Sequence, residues 1–156
     1  MSQNLYAQFS GTPMSREDID RLLRTQGYGI VSLCADDDPY SVPISFGYDG
    51  ESVYLPFLSE SPESTKADYI ADGSTVRLLA TEIRGRFDWQ SVSVTGPVHA
   101  VDPDNEEWEQ FIETLDDNAW FISGFERADS LESIQGWRID PEEVRGLERT
   151  EEPAAE

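Results

Sequence analysis

The chain has 156 residues, 38% of them hydrophobic and 11% aromatic, which suffices for one domain with its own core and not for two. Against 11 Lys and Arg stand 32 Asp and Glu, a formal net charge of -21. That balance excludes a general nucleic-acid binder, which needs cations to neutralise phosphate, and docking on an anionic membrane surface.

Residues 1–14 read as a loose, flexible N-terminal arm. Ser15, with Asp18 three residues on, marks a helix start, and Ile19, Leu22 and Leu23 give that helix one apolar face. Gly27 stops it. Tyr28 to Ala35 is a β-branched, apolar strand, and Asp36 to Pro39 a turn. Tyr40 to Tyr48 alternates, with Val42, Ile44, Phe46 and Tyr48 on one side and Ser41, Pro43, Ser45 and Gly47 on the other. Asp49-Gly50 is a strong hairpin signal, after which Val53, Leu55 and Phe57 resume the alternation.

A polar loop then leads into a short helix from about Ser64 to Asp72, stopped by Gly73. Ser74 to Ile83 is a fourth strand and Phe87 to Val101 a long fifth, with Gly96-Pro97 suggesting a bulge or bend. Asp102-Pro103 opens a second helix whose stripe is Trp108, Phe111, Ile112 and Leu115. Residues 118–132 are ambiguous. Ile134 to Ile139 is a last core strand, Glu143 to Leu147 a possible extension, and 150–156 an acidic, disordered tail. The pattern is mainly β (α+β): six antiparallel strands closing into a small barrel with flanking helices, over residues 15–149.

Little in the chain points to acid–base or metal chemistry. The single histidine, His99, sits in a strand among apolar neighbours, and the single cysteine, Cys34, lies in an apolar run that suggests a buried structural thiol. No zinc site can be assembled from one Cys and one His, and no Walker loop, Gly-x-Gly-x-x-Gly or Gly-x-Ser-x-Gly occurs. What stands out is Ser61-x-x-Ser64-Thr65-Lys66 at a strand-to-helix junction. Backbone N–H groups, two hydroxyls and an ammonium there could cradle phosphate, and Lys66 is the only lysine the chain keeps. The plainer reading is an ordinary N-cap and a solvated lysine.

The succession of an amphipathic helix, Tyr28-Gly29, Pro39 to Gly50, Val53-Tyr54-Leu55, Ser64-Thr65-Lys66 and Trp89 to Gly96 resembles the pyridoxamine 5'-phosphate oxidase-like flavoprotein superfamily, nearest its nitroimidazole-resistance-type and uncharacterised archaeal branches. The likeness covers about residues 15–102, with a weaker echo at Trp137-Arg138-Ile139. It implies a split β-barrel homodimer with FMN at the subunit interface. By the same resemblance Pro43, Ile44, Ser45 and Phe46 line the flavin ring, Pro56 and Phe57 add the next strand, and Ser64, Thr65 and Lys66 hold the phosphate. Thr65 departs there from the Arg-Lys pair common in the family. Ser91 falls near the ring, and Trp137 matches an aromatic that approaches the partner's flavin. Pro43 and Phe46 could equally be barrel packing, and Trp137 a core aromatic.

The implied activity is an FMN-dependent oxidoreductase acting through flavin N5 on an unidentified small molecule. The alternatives keep the fold without turnover, as a flavin, haem or deazaflavin (F420) binding protein, or lose the cofactor as an interaction barrel. The Arg-x-His element of true pyridoxamine-phosphate oxidases is missing from Phe125 to Ser130, and few cations remain for a substrate phosphate. Met1 to Ser10 shows no signal peptide and no apolar run approaches the about 20 residues of a membrane span, so the chain reads as cytoplasmic. Ten arginines with one lysine beneath such an excess of carboxylate suit a halophilic setting, where about 1 M salt screens repulsion over about 3 Å.

Overall fold

A computed structural model describes residues 11–58, 70–118 and 134–150. In chain order its elements are β1 (Thr12–Pro13), α1 (Arg16–Thr25), β2 (Tyr28–Ala35), β3 (Asp38–Ser45), β4 (Gly47–Tyr48) and β5 (Val53–Leu58). After them come β6 (Thr75–Gly85), β7 (Asp88–Val101), α2 (Glu107–Asp116), β8 (Ile134–Ile139) and β9 (Glu143–Arg149). All pairings are antiparallel, in the order β3-β2-β6-β7-β8-β5-β4, with β9 pairing β7 and β1. This is the expected mainly-β, curled antiparallel sheet with flanking helices.

Three local signals act as read. Ser15 Oγ accepts from Asp18 N at 3.1 Å and caps α1, whose Ile19, Leu22 and Leu23 are buried. Gly27 follows at φ 78, a left-handed backbone that favours glycine. Between β4 and β5, Asp49 Oδ1 accepts from the N–H groups of Glu51 and Ser52 at 2.8 and 2.7 Å, and Gly50 takes φ 101.

The strand count exceeds the expected six for physical reasons. The stretch from Tyr40 to Tyr48 is not one strand, since pairing breaks at Phe46. There Asn118 Nδ2 reaches both Gly27 O at 2.6 Å and Phe46 O at 2.7 Å, while Phe46 N donates to Gly27 O. The turn before β3 is tighter than expected: only Asp36 and Asp37 lie outside strands, both at positive φ, the backbone of a two-residue hairpin. The end of the expected arm is held, with Thr12 and Pro13 opposite Glu148 and Leu147 and Met14 buried. Residues 1–10 and 151–156, and residues 64–69 of the expected short helix, lie outside the described residues.

β7 is the spine. It pairs with β6 along most of its length, with β9 from Trp89 to Thr95 and with β8 from Val98 to Val101. Gly96-Pro97 sits where the partner changes, and no side chain fits at 96: a Cβ would stand 1.9 Å from Asp140 O. The expected bend is thus a strand passing from one part of the sheet to another.

The second helix starts later than Asp102-Pro103 suggests. Asp102 caps a turn instead, taking Asp104 N on its carboxylate and Asn105 N on its carbonyl, and α2 begins at Glu107. Phe111 and Leu115 of α2 are buried with Tyr54, Val101 and Ile134, while Trp108 and Ile112 pack partly buried against them. The main core lies inside the curl, where Val31, Leu55, Leu78, Val92, Val94 and Ile139 are fully buried.

Candidate cofactor-binding face

Side chains alternate along a strand, so the residues between the core positions of β2, β3, β6, β7 and β9 share one outward face. Register aligns them in rows. Pro43, Ile30, Leu79, Ser93 and Arg145 form one row across five strands. Ser45 stands opposite Tyr28, and Ser91 stands between Thr81 and Leu147 in the adjoining part of the face. Tyr28, Ile30, Leu79, Ile83 and Phe87 are exposed here, Ile83 at 72%. Among the outward positions of these strands one carboxylate occurs, Glu143, in a chain that carries 32. The surface is therefore sorted, with acids elsewhere and this face apolar and hydroxyl-rich.

The sequence-predicted residues divide between three places. Pro43, Ser45 and Ser91 lie on the outward face. Ile44, Phe46, Phe57 and Trp137 belong to the core, with the Phe57 and Trp137 ring centres 6.5 Å apart. Pro56 is buried opposite Gly136, and alternation turns it to the α2 side with Tyr54. Ser64, Thr65 and Lys66 lie outside the described residues. The indole N–H of Trp137 is buried without a hydrogen-bond partner among the described residues, a donor whose desolvation costs about 1–3 kcal/mol.

Two features escaped sequence reasoning. Asn118 fixes the backbone at Phe46, at the end of the strand that carries Pro43 and Ser45, through bonds that span 91 and 72 residues. The apolar outward row could have been found: β2 and β6 carry large apolar residues on both faces, the pattern of a strand covered twice. Cys34 corrects an expectation. It is exposed, because its parity puts it outward with Ile30 and Ser32.

Polar groups concentrate elsewhere. His99, half-buried, stands opposite Arg138, its Nδ1 3.4 Å from Asp72 Oδ2 and its Nε2 3.4 Å from Asp140 Oδ2. Arg138 Nε donates to Asp140 Oδ1 at 2.7 Å and Nη1 to Glu107. Asp72 also accepts from Ala100 N, and that bond first, then His99, holds its carboxyl below the usual range. Under α2, burial and then the charges of Asp49 and Glu107 push the Tyr54 hydroxyl up to about 12. Among the described residues no group of three or more His, Cys, Asp or Glu could hold a metal ion, and no helix is long and apolar enough to cross a membrane.

The curled antiparallel fold is shared with solved structures. An FAD-binding protein of Mesorhizobium loti superposes with a TM-score of 0.72 at 20% identity, over 89% of this chain and 98% of that one. The FAD-binding protein of Mycobacterium smegmatis gives a TM-score of 0.69 at 16% identity, over 90% and 100%. The FAD and heme binding protein of the same organism also gives 0.69, at 20% identity, over 91% and 75%. An uncharacterised protein of Rhizobium meliloti is 31% identical over 83 residues, a match spanning 53% of this chain and 52% of that protein. The family model described as pyridoxamine 5'-phosphate oxidase matches residues 15–148, and the chain belongs to that family.

Proposed function

We propose that the chain is a homodimeric flavoprotein, an FMN-dependent oxidoreductase acting on a small molecule other than a vitamin B6 phosphate, with the flavin on the outward face where two copies meet. One observation carries this reading: a chain of net charge -21 keeps that face nearly free of carboxylate and lined with apolar and hydroxyl side chains. Isologous pairing sets the same patch against itself, and an acid-bearing patch would repel its twin. Tyr28, Ile30, Leu79 and Ile83 supply what an interface core needs. The solved FAD-binding proteins of the same fold support the flavin assignment.

The residues fit such a group. Pro43 and Ile30 offer a flat apolar platform, and the Ser45 and Ser91 hydroxyls can hydrogen-bond the polar edge of a ring. Lys66, with Ser64 and Thr65, is the expected holder of the phosphate. Phe46, Phe57 and Trp137 act from behind, keeping the strands that carry the platform in place. Bound FMN supplies hydride acceptance at N5; the chain supplies position, exclusion of water and hydrogen bonds. Tyr28 stands opposite Ser45, Thr81 and Leu147 flank Ser91, and no His, Asp or Glu stands beside either serine in register on the described face, which suits a step that needs no carboxylate or imidazole. Haem is the weaker occupant, because both ring nitrogens of His99 already face carboxylates.

Absorption near about 450 nm in purified protein, with FMN identified by mass among the molecules released on denaturation, is the expected result. Rapid mixing with NADH or NADPH should bleach that band. A yellow protein that no reductant bleaches is a flavin carrier instead, and a colourless one that takes up no added flavin contradicts the reading.

A further inference from the structure

His99 is the single histidine of the chain, and the flavin reading gives it no task. It stands between the two flanks of β7. On one flank the chain enters β6 through residues 71–74, which run on along β7 past the last β6 pair, Thr75 with Pro97. Gly73 N donates to Val98 O at 2.7 Å, Val98 N to Ser74 O at 2.9 Å, and Ala100 N to Asp72 Oδ1 at 2.9 Å. A side-chain carboxylate thus takes the last N–H, where a strand would offer a carbonyl. On the other flank lies β8, with Arg138 opposite His99 and Asp140 N donating to Pro97 O at 3.0 Å.

The imidazole spans both flanks, its Nδ1 3.4 Å from Asp72 Oδ2 and its Nε2 3.4 Å from Asp140 Oδ2. A carboxylate only accepts, so each contact needs a donor. Imidazolium has two N–H groups; the neutral ring has one and turns a lone pair on the other carboxylate. The two acids are not equally held. Asp140 also takes Arg138, Nε to Oδ1 at 2.7 Å, and Arg138 is shared with Glu107 of α2. Asp72 has no arginine partner among the described residues, and its side chain is the more exposed, 65% against 45%. Loss of the imidazolium charge therefore falls on Asp72. The Ala100 N–H and then His99 hold the Asp72 carboxyl below the usual range, and the Asp140 bond raises Arg138. Imidazole is the side chain that changes charge between about pH 5 and 8.

We propose that His99 is a pH-dependent clasp. As imidazolium it ties Asp72 to Asp140 across β7; as neutral imidazole it lets Asp72 go and loosens the entry to β6. A few residues before Asp72 come Ser64, Thr65 and Lys66, the expected holders of the flavin phosphate. The clasp itself stands apart from the flavin reading, and its effect on a cofactor rests on that reading. There His99 is a positioning residue, acting through Asp72 on the end of the segment that would meet the phosphate.

Protection of backbone amides against hydrogen exchange, each rate divided by its intrinsic value at that pH, reads the clasp without any ligand. Full-length wild type, His99→Gln and Asp72→Asn are compared at about pH 5.5 and about pH 8, at one salt concentration at which circular dichroism shows all three folded. In wild type the Gly73 and Ala100 amides should lose about threefold in protection at the higher pH, the scale of a surface ion pair, while those of Val92 and Val94 stay level. In both variants the Gly73 and Ala100 values should not move with pH. Flat wild-type values, or the same loss in His99→Gln, overturn the clasp. FMN and riboflavin titrations at the same two pH values then test its effect. Ionisation of the FMN phosphate acts alike on every chain, so the prediction is a difference. FMN affinity should fall about threefold more in wild type than in His99→Gln at the higher pH, with no such difference for riboflavin, which lacks the phosphate. Equal changes in both chains overturn the positioning role and leave the clasp. A clasp that opens with pH as expected, in a chain that binds neither flavin, sinks the flavin reading alone.

Discussion

Asn118 shows how one side chain can decide the shape of a strand that bears the proposed site. Its amide nitrogen reaches the carbonyls of Gly27 and Phe46, where β3 would otherwise run on into β4. Asn118→Ala strips two buried carbonyls of a donor and should cost about 2–3 kcal/mol in denaturant unfolding. An unchanged midpoint would mean that the break at Phe46 holds itself. Tyr54 gives a residue-scale dependence on pH. Its hydroxyl ionises near 12 in the fold, against the ordinary 10.0. The folded chain therefore binds the proton more tightly, and the contribution to stability, complete below about 10, is lost as pH rises towards 12. Wild type should lose more stability over that window than Tyr54→Phe, with tyrosinate absorbance at about 295 nm following the loss. Parallel alkaline curves would count against this.

At the scale of elements, what sequence could show depended on how local the cause was. β2 and β8 run from Tyr28 to Ala35 and Ile134 to Ile139 as composition suggests, because alternation and flanking turns define them. α1 is likewise set by its own cap and apolar stripe. Asp102-Pro103 misled because the same Asp that caps helices also caps turns, and only the packing of Phe111 and Leu115 decides where α2 begins. Of the site, Pro43, Ser45 and Ser91 were legible through parity and resemblance, whereas Asn118 was not, because its bonds join residues 91 and 72 positions apart. Gly96 tests the element scale. Gly96→Ala drives a Cβ into Asp140 O where β7 passes from β9 to β8. It should destabilise by at least about 3 kcal/mol, more than overpacking of a side chain alone. A variant as stable as wild type in urea would show that this crossing has slack.

For the whole molecule, charge and fold pull apart. Thirty-two carboxylates on one small domain repel at low salt, where the screening length is about 10 Å at 0.1 M, and hardly at all near 1 M. The melting midpoint should rise by about 10 °C or more between about 0.1 M and 2 M NaCl, equivalent to a few kcal/mol. A flat profile would remove the halophilic reading and leave the sorted face untouched. That face is what the account rests on, since apolar residues and hydroxyls share one side of a sheet whose described outward positions carry one carboxylate, Glu143. Leu79 is central to it, 38% exposed and between Ile30 and Ser93 in register. The most direct test is Leu79→Glu, followed by sedimentation velocity with absorbance read at both protein and flavin wavelengths. The account predicts a folded monomer that carries no flavin, beside a yellow wild-type dimer. A Leu79→Glu protein that still sediments as a yellow dimer would contradict it.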